Sequence, residues 1–382
     1  MLKLSFISAV LALMAGLFSD CKPSEPVQVS QVISSEKLNF RVDTVLSGLK
    51  VPWGLAFLPN GDILFTERKG ELYLIHDGKL NPEPIGGVPK VKAKGQGGLF
   101  DLELHPKYEE NGWIYLSYAS PDEKNEEGGG SNTAFMRARL KDHTLVDQQV
   151  IFKASPNYQT NHHYGARMEF DNDGYLYLTV GDRGGTDFVQ DLTNHRGKVF
   201  RLNDDGTVPP DNPFVGVPGA MPETFSWGHR NPQGLTLNPT TGEIWETEHG
   251  PRGGDELNII RKGNNYGWPT ITYGINYDGT IITKDTVKEG MEQPVIFWRP
   301  SIAPCGIDFV TSDKYAPWKG NILVGSMSFR YLERVELEGN EVVHQEKLLE
   351  NIGRVRVVRQ APDGYLYLGI EGPGMILRLI PE

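Results

Sequence analysis

A single phrase recurs six times along the 382 residues: an apolar couplet, often led by Gly, then a Gly-containing turn, then an alternating strand. It first reads Gly54-Leu-Ala-Phe, then Asn60-Gly61-Asp-Ile-Leu-Phe-Thr. The last copy reads Val355-Arg-Val-Val-Arg-Gln, then Asp363-Gly364-Tyr-Leu-Tyr-Leu-Gly, and the others begin at Leu102, Met168, Gly234 and Gly306. Period-2 alternation on either side of a turn that needs positive φ specifies a β-hairpin. The copies are spaced at roughly 45 to 80 residues, which leaves room for a four-stranded unit with loops of unequal length. No such unit can bury its own faces. Six of them predict an all-β chain, a six-bladed β-propeller of four-stranded antiparallel blades over residues 39–382. Such a ring gathers loops from every blade around one central funnel.

Composition agrees with turn-dense β architecture, with 44 Gly and 26 Pro and no long amphipathic helix. A net charge of −11 argues against binding nucleic acid or an anionic membrane through a general basic field. The N-terminus reads as a leader. Residues 1–20 carry a Lys and then an apolar run from Ser5 to Phe18, too short for a permanent membrane span and suited to a signal peptide. Residues 21–38 read as a polar tether. Cys21 directly after the run suggests an exported lipoprotein acylated there; the alternative is a plain signal peptide cleaved nearby. Cys305 reads as an unpaired thiol in a β-turn, against a disulfide to Cys21.

Several loop segments carry chemistry. Arg230 and Asn231 offer a planar cationic fork beside an amide, suited to carboxylate or quinone oxygens, although a lone loop Arg commonly serves as an ion-pair partner. Gly250-Pro251 exposes main-chain carbonyls of the kind a hard cation such as Ca²⁺ takes, or is an ordinary Gly-rich turn. His163 precedes one predicted strand and Asp182 follows the next, so both reach the same rim, and an Asp that orients a His prepares a general base. A transition-metal site at His162-His163 is disfavoured because adjacent residues in an extended segment point apart. Arg354 and Arg356, two apart in a strand, share a face. Toward solvent they would guard an edge; toward the funnel they would clamp an anion. Gln96 sits between glycines in the first long loop and can approach a ligand closely.

In order along the chain stand Gly95-Gln-Gly-Gly-Leu99, His163-x-Gly-x-Arg167, Val180-Gly-Asp-Arg-Gly184, Gly228-His-Arg-Asn-Pro-Gln-Gly234 and Glu248-His-Gly-Pro251. Gly263-Asn-Asn-Tyr-Gly-Trp-Pro269, Pro300-Ser-Ile-Ala-Pro304 and Arg354-Val-Arg356 follow. From Phe40 to the C-terminus this set resembles the soluble quinoprotein glucose/sorbosone dehydrogenases, specifically the bacterial aldose sugar dehydrogenase branch. The resemblance implies pyrroloquinoline quinone (PQQ) seated over the funnel, with Arg354 and Arg356 on its carboxylates and Arg230 and Asn231 by the quinone. Gln96 and Ser301 would also contact it. It implies one Ca²⁺ on the carbonyls of Gly250 and Pro251, and a second, structural one at Glu256 and the Tyr266 carbonyl. His163 becomes the general base for the C1 hydroxyl of an aldose, Asp182 its orienting group, and an external acceptor removes the electrons. The compartment implied is the periplasm or cell surface.

Three positions depart from the family pattern. Ser328 stands where a Lys is usual, with Arg330 a candidate replacement; Cys305 stands where Ser is usual; Val357 stands where an acid is common. Two other functional classes follow from the residues. One is a non-catalytic binding propeller that has lost the cofactor, for which Ser328 speaks. The other is a Ca²⁺-dependent lactonase, which would need side-chain carboxylates on its metal in the funnel.

Overall fold

The computed structural model describes residues 32–124 and 129–382. The leader and Cys21 lie outside these residues. Six antiparallel sheets follow one another around a ring. Their innermost strands, in order, are Pro52–Phe57, Leu99–Leu104, Met168–Phe170, Pro232–Leu237, Pro304–Phe309 and Arg354–Gln360. These head blades 1 to 6 and neighbour one another in a closed circuit. Blade 6 is completed by the N-terminal strand Asn39–Ser47, which pairs with Met375–Pro381 from Phe40↔Pro381 to Ser47↔Met375. That pairing closes the ring. The hairpin extends further back than expected, because Ile33 and Ser34 pair with Phe40 and Asn39. The last part of the predicted tether is therefore the outer edge of blade 6.

Alternation along each strand sends apolar side chains into the seams between blades, and every seam is one buried cluster. Leu64 and Leu72 meet Leu102 and Leu116 between blades 1 and 2, and Phe135 meets Phe200 between blades 2 and 3. Val199 meets Leu235, Trp245 meets Ile307 and Leu323 meets Leu368 at the next three. Phe65 meets Val357 where blade 6 returns to blade 1. Burial at about 25 cal/mol per Å² of apolar surface is thus spread over six interfaces, so no blade is stable alone.

The Gly that leads half of the phrases has a steric reason. A Cβ on Gly54 would sit 2.7 Å from the Leu102 nitrogen, and one on Gly306 would sit 2.7 Å from the Arg356 carbonyl. At these positions neighbouring inner strands touch backbone to backbone. The corresponding places in blades 2 and 3 hold Asp101 and Arg167, both buried, which pair at 3.0 Å. Arg167 also donates to the carbonyls of Gln233 (2.7 Å) and Arg356 (2.8 Å), so one side chain ties blades 2, 4 and 6 across the channel. No helix of the described residues is long and apolar enough to cross a membrane.

Candidate active site

At one end of the ring, the entry to each inner strand lies beside the exit of the strand paired with it. In five blades the inner strand is bulged there, as between Pro52 and Leu55, Pro304 and Ile307, and Val355 and Val357. A bulge bends a strand and re-aims its side chains. Two adjoining recesses result. One of about 280 Å³ is walled by Trp53, Arg68, Gln96, Asn231, Arg354 and Arg356, with Glu371 among them. The other, of about 840 Å³, is bounded by Gly250, Pro251 and Ser301. His249, Ala303 and Ser328 belong to both. A third space of about 10 Å³ lies against Arg230, His249, Glu256 and Tyr266.

His163 stands beside the smaller recess, whose wall includes its neighbours Tyr164 and Gly165. Its Nδ1 donates to Asp182 Oδ1 at 2.7 Å, and no protein group takes Nε2 among the described residues. Asp182 is itself fixed by the Trp268 indole N–H (2.9 Å) and the Gly184 N–H (2.7 Å). Burial chiefly lowers the His163 pKa below the ordinary imidazole value, Arg230 lowers it further, and the Asp182 hydrogen bond opposes both. Burial acts to raise the Asp182 pKa, but the hydrogen bond and charge of His163 outweigh it and the net shift is downward. The result is a neutral imidazole with a free Nε2 lone pair beside a fixed carboxylate. His163 has φ 54°, a left-handed conformation uncommon outside Gly. Its N–H donates to Gln96 Oε1 at 2.8 Å, so Gln96 holds this backbone in place.

Arg230 is buried and donates to the carbonyls of His249 (2.8 Å) and Gly250 (2.7 Å). Burial lowers the His249 pKa to about 3, with Arg230, His163 and Arg356 also acting on it. Groups from blades 3, 4 and 6 therefore converge on one point. Asn231 accepts from the Gly165 N–H at 3.2 Å. Arg354 and Arg356 do face the recess, and they share Glu371. Arg356 Nε lies 3.0 Å and Arg354 Nε 3.4 Å from its carboxylate oxygens.

The sequence reading missed Glu371, Arg68 and His249. Arg68 Nη1 donates to the Gly95 carbonyl (2.6 Å) and the Gly97 carbonyl (3.0 Å), bracketing Gln96. It lines the smaller recess, whereas Arg330 lines neither cavity. His249 sits inside the Glu248–Pro251 motif and could have been found there. Cys305 is free and buried, but it lies in the inner strand of blade 5 rather than in a turn. Its sulfur takes an Arg167 N–H at 3.4 Å. His162 and His163 meet edge to face, and His163 turns to Asp182 instead of sharing a metal.

The donor sets fit hard cations. The Gly250 and Pro251 carbonyls each take one protein donor, from Arg230 and from Ser301 Oγ (3.1 Å), which leaves a second lone pair on each. Glu256 is part of a larger acidic group, because Glu246 and Glu248 stand opposite Asn258 and Glu256 on the adjacent strand. His229, Glu246 and Glu248 present ligand atoms within 4.8 Å of one another. Glu246 Oε1 and Asn258 Oδ1 are buried without a partner, as oxygens awaiting a cation would be. Burial, then the neighbouring carboxylates, raise the pKa values of Glu246 and Glu256 well above normal.

Fold and site together define a β-propeller whose funnel sets Arg68, Arg354 and Arg356 near the hydrogen-bonded His163–Asp182 pair. Residues 49–378 match the Glucose / Sorbosone dehydrogenase family, and the chain belongs to it. It is 40% identical over 361 residues to the aldose sugar dehydrogenase YliI of Escherichia coli strain K12, covering 93% of this chain and 96% of that protein. The crystal structure of the soluble aldose sugar dehydrogenase from Escherichia coli in the apo-form aligns with a TM-score of 0.85 at 38% identity, over 90% of this chain and 100% of that one. The PQQ-bound form of an aldose sugar dehydrogenase from Streptomyces coelicolor aligns with a TM-score of 0.73 at 28% identity, over 90% and 98%.

Proposed function

We propose that this chain oxidises the C1 hydroxyl of aldose sugars to lactones, using PQQ and Ca²⁺ held in the funnel. The observation that carries the reading is the His163–Asp182 pair, with Nε2 free, beside a recess lined by Arg68, Arg354 and Arg356. PQQ bears three carboxylates, and these three arginines with Asn231 and Gln96 would hold it; Ser301 reaches it from the adjoining cavity. The carbonyls of Gly250 and Pro251 would hold Ca²⁺, and Glu256 with the Tyr266 carbonyl a second, structural ion. Bound there, the quinone supplies a two-electron acceptor for the C1 hydride and the metal ion a Lewis acid beside it.

The protein's own part is proton transfer and placement. His163 Nε2 takes the C1 hydroxyl proton, becoming an imidazolium that Asp182 stabilises and keeps in orientation. Arg230, pinned by two carbonyls, places a fixed positive charge near the reacting oxygens. The sugar would leave as its lactone, and an external acceptor would take up the two electrons. The leader of residues 1–20 fits an exported enzyme, anchored through lipid at Cys21 or released by cleavage.

The binding-propeller reading draws on Ser328, and Arg68 weakens it by supplying a cation from elsewhere. A lactonase metal site finds little support, since the carboxylate in the smaller recess, Glu371, is held by two arginines. Reconstitution with PQQ and Ca²⁺ tests the proposal: it requires aldose-dependent reduction of an artificial acceptor, and no cofactor uptake would refute it.

A further inference from the structure

The larger cavity has an electrostatic character that the chemistry above does not use. Its wall includes Arg252 and Arg299, both exposed side chains. Arg252 follows Pro251 on the loop that supplies the carbonyl donors. Arg299 runs across the same loop, since a Cβ on Gly253 would meet its side-chain carbons at 3.4 and 3.8 Å. Many of the other arginines hold carboxylates, as Arg201 holds Asp211, Arg334 holds Glu346, Arg359 holds Glu103 and even the exposed Arg41 reaches Glu382, while Arg68, Arg183 and Arg230 are held by carbonyls. Among the described residues neither Arg252 nor Arg299 has such a partner, in a chain with 49 acidic and 38 basic side chains. The one carboxylate in the cavity wall, Asp255, is turned inward, with its two oxygens taken by the N–H groups of Gly250 (2.8 Å) and Ala303 (2.7 Å). It forms no ion pair with either arginine.

Ser301, Ser328 and the exposed ring of Tyr277 complete a polar wall suited to sugar hydroxyls and a sugar face. At about 840 Å³ the cavity is larger than a monosaccharide ring needs, and it shares His249 with the cofactor recess. We propose that this cavity is the substrate's distal subsite and that Arg252 and Arg299 select aldoses carrying an anionic group, a carboxylate or a phosphate, away from C1. This rests on the aldose-oxidation reading and narrows it to acidic sugars. Guanidinium forks match carboxylate and phosphate oxygens, and an unpaired pair gives up no existing ion pair when the sugar binds.

The test compares glucose, glucuronate and glucose 6-phosphate on the PQQ- and Ca²⁺-loaded protein, using a neutral electron acceptor at low and high salt. KM for one or both acidic sugars should lie about tenfold below that for glucose, the gap closing as salt screens the partly exposed charges. The two acidic sugars separate the carboxylate source from the phosphate source. The R252Q/R299Q double variant should lose the preference while oxidising glucose as before. Its affinity for PQQ, read by fluorescence titration, should stay unchanged. Equal KM values for neutral and acidic sugars would overturn the proposal, and so would a variant that loses PQQ affinity without losing sugar preference. Calorimetry of glucuronate against glucose on the unloaded protein separates the two failures. Selective glucuronate binding without any oxidation would sink the dehydrogenase reading and keep the subsite; no selectivity would sink the subsite.

Discussion

Arg356 and Glu371 form a two-point ion pair on the wall of the smaller recess, with Nε 3.0 Å and Nη2 2.5 Å from Glu371 Oε2. The carboxylate also reaches Arg354, so a cradle for anions already contains one. Burial acts to raise the Glu371 pKa, yet Arg356 and then Arg354 outweigh it and the net shift is downward, keeping the carboxylate charged at neutral pH. A cofactor carboxylate bound as proposed would therefore share the two arginines with it. Glu371→Gln removes the competing charge while keeping an acceptor oxygen. Affinity for PQQ, measured by titration at low salt, should rise by roughly threefold to tenfold. Weaker binding would mean that Glu371 serves mainly to orient Arg356.

As the proposed base, His163 would act in its neutral form, so its depressed pKa should place the acid limb of kcat below the ordinary imidazole value of 6.5. Activity should be full above that limb and fall as protons arrive on Nε2. Asp182 contributes an upward influence on that pKa. In Asp182→Asn the limb should accordingly move to lower pH, while kcat drops by on the order of 10² to 10⁴ because tautomer and orientation are lost. The pH profiles of kcat for the two proteins decide this. An acid limb that moves upward would contradict the assignment.

Ser328 touches both cavities and places a neutral hydroxyl there. Ser328→Lys should tighten PQQ binding by roughly threefold to tenfold, an effect that high salt removes. Arg68→Met should do the reverse and also lower kcat, because the carbonyls flanking Gln96 lose their donor and the His163 backbone loses its brace. A fall in affinity with kcat unchanged would limit Arg68 to a charge contribution.

How much of this could be read from the chain alone varies with the kind of interaction. The six phrases specified the blades because strand alternation and turn glycines are local properties. His163, Asp182, Arg354 and Arg356 were legible because each lies at or near an end of a predicted strand, on the loops that gather at one rim of the ring. Glu371 and Arg68 were not, since each leaves the second strand of its blade and meets its partners only once the ring closes. The bulges were likewise hidden, being a mismatch in count between paired strands. Arg167 lay inside a recognised motif, yet its reach to the Gln233 and Arg356 carbonyls depends on three blades at once. Arg330 was offered as a substitute cation from sequence proximity to Ser328, and proximity along a turn does not fix direction.

The buried acids of blade 4 predict a dependence on divalent ions. Glu246, Glu248 and Glu256 lie on adjacent strands with few donors, so Ca²⁺ there should stabilise the folded ring. At a hundred times its Kd the ion should add about 2.7 kcal/mol, a rise in Tm of roughly 4 °C over chelated protein for a domain of this size. Glu256→Gln should abolish most of that difference. Calorimetric scans with Ca²⁺ and with chelator would show it. A chelator-independent Tm in the parent protein would mean that the acids are held by shared protons instead.

The most direct measurement is anaerobic stopped-flow absorbance of the PQQ- and Ca²⁺-loaded protein mixed with an aldose. The quinone band should bleach with a stoichiometry of one sugar per cofactor, and His163→Ala should bind PQQ normally yet keep the band intact. A protein that takes up no PQQ, or a His163→Ala variant that bleaches at the parent rate, would contradict the role given to this funnel and its base.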